Sequence, residues 1–323
     1  MILTRTPFRV SFVGGGTDLP FFYKKCPGAV ISTSIDKYMF IFVHQFFDKN
    51  KIQLKYSKVE LVESADQLEH PIAREVLKRF HLDVSLDINS IADIPSGTGL
   101  GSSSAYTVGL LHALYAFGGQ QVSKEQLAEE AAEIEIYRVG SPIGKQDQYA
   151  ASFGGLNLIE FFPDDTTKVT PILWDSPSRR MLEDSIMVFY VAKQRDANQI
   201  LTKWQSENAK FMNLIRLSAL TYQFRNALLT NDIESCGKLL HEGWLLKKEV
   251  AQGISDPEID VYYNLALQNG AYGGKLLGAG GGGFLMFLVP PEKKGDVRKA
   301  LANLREFFFR MDKCGSSVLT LGA

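Results

Sequence analysis

The most informative part of the sequence reads Ile94-Pro95-Ser96-Gly97-Thr98-Gly99-Leu100-Gly101-Ser102-Ser103-Ser104-Ala105. Its three serines lead directly into residues 105–115, whose apolar side chains recur at helical spacing. The first N–H groups of a helix lack partners within the helix and carry partial positive charge. Glycines ahead of a helix let the backbone approach a ligand closely. We therefore expect an anion cradle, suited to the phosphate chain of a nucleotide. The alternative is an ordinary tight turn with a serine N-cap.

Composition sets limits on the class of protein. The chain has 323 residues, enough for one large domain or two ordinary ones, and 45% hydrophobic with 22% charged residues is typical of a globular protein. A net charge of −1 argues against a nucleic-acid partner. We find no apolar run of membrane-spanning length and no signal-peptide core. The three widely spaced cysteines favour a reducing compartment, so we expect a cytoplasmic protein that binds neither nucleic acid nor membrane.

Periodicity predicts the fold class. Strands and helices alternate irregularly in both halves, without repeated βαβ units, which indicates an α+β fold. Ser123 and Gln126 form a capping box for a helix extending to about Arg138. We also predict a helix over residues 146–153, a long helix over about 198–230, and a strand over residues 306–311.

Two further glycine clusters could be mistaken for cofactor motifs. Gly278-x-Gly280-x-x-Gly283 matches the dinucleotide-binding pattern, but an apolar, strand-like run follows it instead of a helix. Gly14-Gly15-Gly16 has Leu19 where a third glycine would be required. We therefore do not expect a nicotinamide enzyme. A Walker-type GxxxxGK[ST] sequence is also absent from the chain.

Three segments, residues 6–18, 94–105 and 275–284, resemble in order the three motifs of the GHMP kinases, the family of galactokinase, homoserine kinase, mevalonate kinase and phosphomevalonate kinase. This resemblance implies ATP and Mg²⁺ as cofactors and two α+β domains with both substrates in the cleft between them. The expected division is an N-terminal ATP-binding domain, residues 1–172, which is similar to a ribosomal-protein domain, and a ferredoxin-like C-terminal domain, residues 173–323. Family members often pair, so a homodimer is also possible.

The resemblance implies a set of nucleotide and metal ligands. The expected ATP-binding residues are Pro95, Gly97, Gly99, Leu100, Gly101, Ser102, Ser103 and Ser104. Ser103 and Glu135 are the expected Mg²⁺ ligands, because Mg²⁺ prefers oxygen and keeps several waters. The tripled serine leaves Ser102 or Ser104 as alternatives for this role. The alternative for Glu135 is a solvated carboxylate on a helix surface.

The resemblance also implies catalytic residues. Residues 144–151 are similar to the family's catalytic-aspartate segment, which makes Asp147 the candidate base. A cationic partner would keep this carboxylate ionised, and Lys145 is the candidate partner. Arg9 corresponds to an arginine that reaches toward the transferring group. The alternatives are a helix N-terminal carboxylate for Asp147 and a surface position for Arg9.

The first motif bears on the acceptor. Galactokinase-like members have Gly-Glu-His-Thr-Asp where this chain has Gly14, Gly15, Gly16, Thr17 and Asp18. We assign these five residues and Gly281 to substrate binding, with Asp18 accepting bonds from sugar hydroxyls. Two glycines in place of Glu and His remove two hydrogen-bonding groups and leave room, which argues against a plain galactokinase.

The whole set of motifs resembles a subgroup of sugar-1-kinases that act on D-glycero-D-manno-heptose 7-phosphate. The implied partner is therefore a small sugar phosphate, and its dianion needs fixed positive charge. The candidate cations are Arg138, Lys145, Lys193 and Arg195. Two alternatives remain: a fucokinase- or galactokinase-like enzyme for an unphosphorylated sugar, and a sugar and ATP sensor that lost turnover.

Overall fold

The structure is a computed structural model that describes residues 1–80, 85–172, 175–191, 201–202 and 211–319. Helices and strands are numbered in chain order within these residues. The first half contains β1 (Ile2–Val13), α1 (Pro20–Tyr23), β2 (Gly28–Gln45), β3 (Ile52–Lys55), β4 (Val59–Val62), α2 (Pro71–Phe80), β5 (Leu86–Ala92), α3 (Ser102–Phe117), α4 (Lys124–Ala132) with a π-helical continuation (Glu133–Arg138), α5 (Gln146–Phe153), β6 (Leu156–Phe161) and β7 (Thr167–Pro171).

The second half contains α6 (Ser176–Ser185), β8 (Ile186–Tyr190), α7 (Phe211–Leu229), α8 (Ile233–Val250), α9 (Pro257–Gln268), β9 (Gly273–Leu276), β10 (Phe284–Leu288), α10 (Lys294–Ala300), β11 (Arg305–Glu306), β12 (Met311–Asp312) and β13 (Ser317–Leu319). Short 3₁₀ turns lie at Ala65–Gln67 and Pro291–Lys293.

The larger sheet is organised around the long strand β2, which pairs with β1, β5, β6 and β12. The described strands of this sheet number nine, and its main path runs β13-β1-β2-β5-β3-β4. Strand β1 changes register against β2 between Pro7 and Arg9 and again between Ser11 and Val13. Such irregularities re-aim side chains near functional sites, and Arg9 lies beside one of them.

The smaller sheet has the order β11-β8-β10-β9, and all its pairs are antiparallel. After β11 the chain returns to the larger sheet, where Met311 pairs with Ile35 and Leu319 pairs with Leu3. The predicted strand over residues 306–311 is therefore wrong. Its two ends belong to different sheets, so residues 307–310 pass from the smaller sheet to the larger one.

The hydrophobic core is shared by both halves of the chain. Helix α3 packs on β1 and β2, and α7 and α8 pack on each other, with α7 also touching β2 and α8 touching β9. Phe12 of β1 stacks on Phe224 of α7 with ring centroids 5.4 Å apart. An aromatic pair of this kind contributes roughly 0.5–1.5 kcal/mol beyond burial. One core cluster therefore contains residues from both sides of position 172. The division into two domains at this position stays a prediction.

The predicted α+β class is confirmed. The predicted N-cap is confirmed, since the Ser123 hydroxyl accepts from the Gln126 N–H, but the Gln126 side chain donates to Tyr115 and Glu130, so the reciprocal half of the capping box is not formed. The helix turns π-helical after Ala132. Helix α5 has the predicted bounds. The long predicted helix over 198–230 is described as α7 from Phe211, and much of its earlier part lies outside the described residues. The periodicity did not predict β4, β7 or α6.

Candidate functional site

A cavity of about 1100 Å³ lies between the two halves of the chain. Four segments form much of its wall: residues 9–18, residues 95–103, residues 141–147 and the glycine-rich loop, defined as residues 278–283. Ligand cavities usually measure roughly 300–1,000 Å³. This cavity is therefore large enough for a nucleotide and a small acceptor together.

The glycine-serine segment, defined as residues 95–104, forms one side of the cavity. Gly97, Gly99 and Gly101 have φ angles of 77°, 84° and 79°, a left-handed conformation that favours glycine. Gly101 is the N-cap of α3 and provides no side-chain cap, so the first N–H groups of the helix are available to an anion. The segment's residues on the cavity wall include Pro95, Gly97, Gly99, Gly101, Ser102 and Ser103.

Leu100 and Ser104 of the same segment are buried behind the wall. The Leu100 carbonyl accepts from the Arg9 N–H at 3.1 Å, which fixes the segment to β1. The Ser104 hydroxyl donates to Glu135 at 2.8 Å. The sequence predicts direct contact of Ser104 with ATP, but the Ser104 hydroxyl points toward Glu135, which disfavours that contact. Ser104 instead orients the carboxylate of Glu135.

Glu135 lies on the π-helical turn and is 1% exposed. Besides Ser104, it accepts hydrogen bonds from Thr107 and from Gln148 Nε2, the latter at 2.7 Å. These three donors are neutral, so none of them balances an ionised carboxylate. Burial raises the pKa of Glu135 to about 7, although the three hydrogen bonds oppose this shift. A buried carboxylate on the cavity wall whose hydrogen-bond donors are neutral fits a ligand of a divalent cation.

Asp147 lies at the first turn of α5 and is held by Arg9. Arg9 Nε donates to Asp147 Oδ1 at 2.7 Å, and Arg9 Nη2 donates to Oδ2 at 2.6 Å. Arg9 Nη1 donates to the carbonyl of Gly99 at 2.7 Å, which connects the pair to the glycine-serine segment. The prediction that Lys145 is the cationic partner is wrong. Lys145 points away from Asp147, and the partner comes from a strand far away in sequence.

Asp18 is buried and close to Asp147. Its carboxylate accepts from the Gly16 N–H at 3.0 Å, from the Gln146 N–H at 3.2 Å and from Gln146 Nε2 at 3.1 Å. A Cβ at Gly144 would lie 2.0 Å from Asp18 Oδ2, so glycine is required there for this close approach. Burial, assisted by the negative charge of Asp147, raises the pKa of Asp18 to about 6.

The other residues of the first motif divide into two groups. Gly15 and Gly16 lie on the cavity wall. Gly14 and Thr17 instead stabilise the turn: the Thr17 hydroxyl donates to Gly14 O at 2.8 Å, and a Cβ at Gly14 would lie 1.9 Å from Ala29 O. These two residues position Asp18 without facing the cavity.

The structure does not bring every predicted substrate residue to the cavity. Lys145 Nζ donates to the Asp165 carbonyl at 3.0 Å and lies 3.8 Å from Glu129, away from the wall. Arg138 forms a two-point pair with Glu133. The Gly281 N–H donates to Ile254 O, while its neighbours Gly280 and Gly282 line the cavity. Arg195 and Lys193 lie outside the described residues.

Two buried lysines on the wall were missed by the sequence reasoning. Lys275 Nζ donates to the carbonyls of Ser11 and Phe12 at 2.9 and 3.0 Å, connecting β9 to β1. Lys247 Nζ donates to the carbonyl of Gly278. The sequence carries one signal for Lys247, because it lies three residues from both Trp244 and Val250. This spacing places all three side chains on the same face of the helix, and that face is buried.

Another part of the wall is aromatic. The His70 ring stacks on Tyr106 with centroids 4.7 Å apart, and Tyr56 meets His70 edge-on at 4.9 Å. Met39 and Ile72 add apolar surface. Burial lowers the pKa of His70, which favours its neutral form. Flat apolar surfaces of this kind suit a heteroaromatic base.

The glycine-rich loop connects β9 to β10, so a strand follows it instead of a helix. The dinucleotide pattern there therefore lacks its structural context, as predicted. Gly278 packs against the glycine-serine segment, where its Cβ would lie 2.5 Å from Gly99 Cα. Within the described parts of the chain, no helix combines the length and apolar character needed to cross a bilayer.

The pattern of the GHMP kinases N terminal domain matches residues 70–155, and that of the GHMP kinases C terminal domain matches residues 224–309. The chain is 31% identical over 316 residues to D-glycero-alpha-D-manno-heptose 7-phosphate kinase of Campylobacter jejuni, covering 93% of both chains. It is 26% identical to galactokinase of Pyrococcus furiosus, covering 95% of this chain and 93% of that one.

Solved structures share the fold. A D-glycero-D-manno-heptose 1-phosphate kinase from Bacteroides thetaiotaomicron superposes with a TM-score of 0.81 at 24% identity, covering all of both chains. Lactococcus lactis galactokinase complexed with galactose superposes with a TM-score of 0.78 at 17% identity, covering 98% of this chain and 94% of that one.

Proposed function

Because the chain belongs to the GHMP kinases, which transfer phosphate from ATP to an alcohol, we propose that its acceptor is the anomeric hydroxyl of D-glycero-D-manno-heptose 7-phosphate. The product is then the 1,7-bisphosphate, a precursor for nucleotide-activated heptose. The observation that carries the assignment of a phosphotransfer site is the carboxylate of Asp147, held by Arg9 beside the N-terminus of α3.

Asp147 is the proposed base. It accepts the proton of the anomeric hydroxyl while that oxygen bonds to the γ-phosphorus, and the bond from the γ-phosphorus to the bridging oxygen breaks to release ADP. Arg9 fixes both carboxylate oxygens through its two-point contact. A carboxylate held in one orientation loses little freedom when the acceptor arrives, which lowers the barrier to reaction.

Asp18 is the proposed acceptor-binding carboxylate. It lies close enough to Asp147 for the charge of Asp147 to contribute to the raised pKa of Asp18. Sugar hydroxyls that donate to Asp18 would place the anomeric oxygen near Asp147. Gly15 and Gly16 leave space on the same part of the wall, which supports an acceptor larger than a hexose.

The nucleotide contacts follow from the wall chemistry. The glycine-serine segment is proposed to bind the phosphate chain through the N–H groups of α3's first turn and the hydroxyls of Ser102 and Ser103. The aromatic part of the wall, around His70 and Tyr106, is proposed to hold the adenine ring. This arrangement supports ATP as the donor.

Ser103 and Glu135 are proposed to hold Mg²⁺. The chemistry of these groups fits the ion, because Glu135 is a buried carboxylate whose hydrogen bonds come from neutral groups. When bound, Mg²⁺ neutralises negative charge on the phosphate oxygens and orients the phosphate chain. Ser104 and Gln148 fix the direction of the carboxylate toward the cavity.

The Campylobacter relative supports the heptose 7-phosphate over an unphosphorylated sugar, since its similarity covers 93% of both chains. Fucokinase-like and galactokinase-like acceptors are the alternatives, supported by relatives of lower identity. Arg195 and Lys193 are proposed for the sugar phosphate, because Lys145 and Arg138 bind protein carboxylates instead. The division into residues 1–172 and 173–323 is also retained as a proposal.

The test is an acceptor comparison with ATP held at saturation. We expect kcat/KM for the heptose 7-phosphate to exceed that for the same heptose without phosphate by roughly 100-fold, because a charged group is matched by fixed cations. Phosphorus NMR of the product checks that the new phosphate is at the anomeric carbon. Equal or faster turnover of fucose or galactose would overturn the substrate assignment.

A further inference from the structure

Lys247 lies on the cavity wall but outside all three sequence motifs. It belongs to α8 and is 5% exposed, among buried neighbours that include Trp244 and Val250. Burying an ammonium group is costly unless it interacts with an anion or with several hydrogen-bond acceptors. An anion bound in the cavity would therefore interact favourably with Lys247.

The ammonium group of Lys247 lies beside the glycine-serine segment. Its Nζ donates to the carbonyl of Gly278, and Gly278 is in direct backbone contact with Gly99. On the other side of that contact, Arg9 donates to the carbonyl of Gly99. Lys247 and Arg9 thus flank the place where the glycine-rich loop meets the phosphate-binding backbone.

Charges on both sides act on Lys247. Burial is the main cause that lowers the pKa of Lys247 to about 7, and the positive charge of Arg9 contributes to this shift. The negative charge of Asp18 opposes it. Lys247 is therefore within electrostatic range of both the base-holding arginine and the acceptor carboxylate. In a kinase, the transferring phosphoryl group lies between the phosphate-binding segment and the acceptor site. Lys247 is next to that position.

Three cations on this part of the wall donate to protein acceptors, and one acceptor of Lys247 is the carbonyl of Gly278. Arg9 is occupied by Asp147 and the Gly99 carbonyl, and Lys275 by the carbonyls of Ser11 and Phe12. An ammonium carries three N–H donors, so a hydrogen bond from Lys247 to Gly278 is compatible with another to a phosphoryl oxygen.

We propose that Lys247 donates a hydrogen bond to the γ-phosphoryl group of bound ATP and stabilises the charge on that group during transfer. This inference rests on the proposed kinase function and adds a catalytic residue to it. The glycine-rich loop would then serve two purposes: it supports the glycine-serine segment, and through Gly278 it positions the ammonium group.

The test compares Lys247→Met with a matched control, Lys248→Met. Lys248 is the next residue on α8, but it pairs with Asp260 at 3.1 Å, away from the cavity wall. Calorimetry measures binding of ADP and of the β,γ-imido analogue of ATP, without any sugar. In Lys247→Met, we expect ADP affinity within about twofold of the wild type and analogue affinity reduced about tenfold, because a hydrogen bond to a charged group is lost.

Turnover provides a second measurement. We expect Lys247→Met to lower kcat by about 10²-fold, the usual cost of removing one preorganised donor, and Lys247→Arg to restore part of it. Lys248→Met should leave both binding and turnover unchanged. Equal losses of ADP and analogue affinity, or no selective loss for the analogue, would overturn the inference. The binding measurement needs no acceptor, so it remains decisive even if the acceptor proves to be a different alcohol.

Discussion

Arg9 and Asp147 are 138 positions apart in the chain and form a two-point ion pair, Nε to Oδ1 at 2.7 Å and Nη2 to Oδ2 at 2.6 Å. The guanidinium is nearly inaccessible, whereas the carboxylate is 22% exposed. The pair therefore presents one charged partner to the cavity and keeps the other inside the protein. This asymmetry suits a base, which has to reach the substrate, and an orienting group, which does not.

Asp147→Asn tests the base directly. The amide cannot accept a proton, so we expect kcat to fall by about 10²-fold or more, with ATP affinity within about twofold. Steady-state kinetics and nucleotide titration measure the two effects. Asp164→Asn is the control, because Asp164 is an exposed residue that caps a turn at Thr166. Full turnover by Asp147→Asn would show that another group takes the proton.

The acceptor step should depend on the ionisation of Asp18. Its pKa of about 6 lies above the ordinary value of 3.8, and a protonated carboxyl accepts hydrogen bonds from sugar hydroxyls less well. We therefore expect kcat/KM for the acceptor to fall as the pH drops through about 6.

The same shift has a consequence for stability. The folded state binds the Asp18 proton more tightly than the unfolded state, so this contribution to the free energy of unfolding is largest below pH 3.8 and is lost as the pH rises through about 6. Asp18→Asn should remove this pH dependence both from kcat/KM for the acceptor and from the free energy of unfolding. A kcat/KM profile that stays flat between about pH 5 and pH 7 would contradict the assigned role.

Gly144→Ala tests the placement of Asp18 without changing any charge. The added Cβ would lie 2.0 Å from Asp18 Oδ2, so the carboxylate has to move. We expect KM for the acceptor to rise about tenfold, while KM for ATP changes little. Gly295→Ala is the control, since its Cβ meets open space. An unchanged acceptor KM would mean that Asp18 does not contact the sugar.

Glu135→Gln tests the metal site. The amide removes the negative charge, and the hydroxyls of Ser104 and Thr107 can reorient to bond with it. We expect the Mg²⁺ concentration for half-maximal activity to rise roughly 10-fold or more. Glu133→Gln is the control on the same π-helical turn, where Glu133 pairs with Arg79 and Arg138 on the surface. An equal Mg²⁺ requirement in both variants would remove Glu135 from the metal site.

Much of the local structure could be predicted because its signals are local. The glycine-serine segment is followed by the expected helix, and Ser123 forms the expected N-cap. Strand β7 reads Thr-Lys-Val-Thr-Pro, and among the described strands its partner is β6, so it lies at a sheet edge and lacks the buried alternation that reveals a strand. The predicted strand over 306–311 failed because the chain changes sheets there.

The site was predictable in its motifs but not in its pairings. Consecutive helical residues point about 100° apart, so three serines in a row cannot all face one ligand, and Ser104 turns toward Glu135. Proximity in sequence favours Lys145 as the partner of Asp147, whereas in the folded protein the partner is Arg9. Lys247 belongs to no motif, and only the packing of α8 places it at the cavity.

The backbone contact between Gly99 and Gly278 also restricts how the enzyme can open. Both residues are glycines and their backbones touch, so separating the two halves of the chain at this point would disrupt the glycine-serine segment. We therefore expect any relative motion of the two halves of the chain to hinge at the contact between Gly99 and Gly278, and to be larger at parts of the cavity wall that lie farther from it.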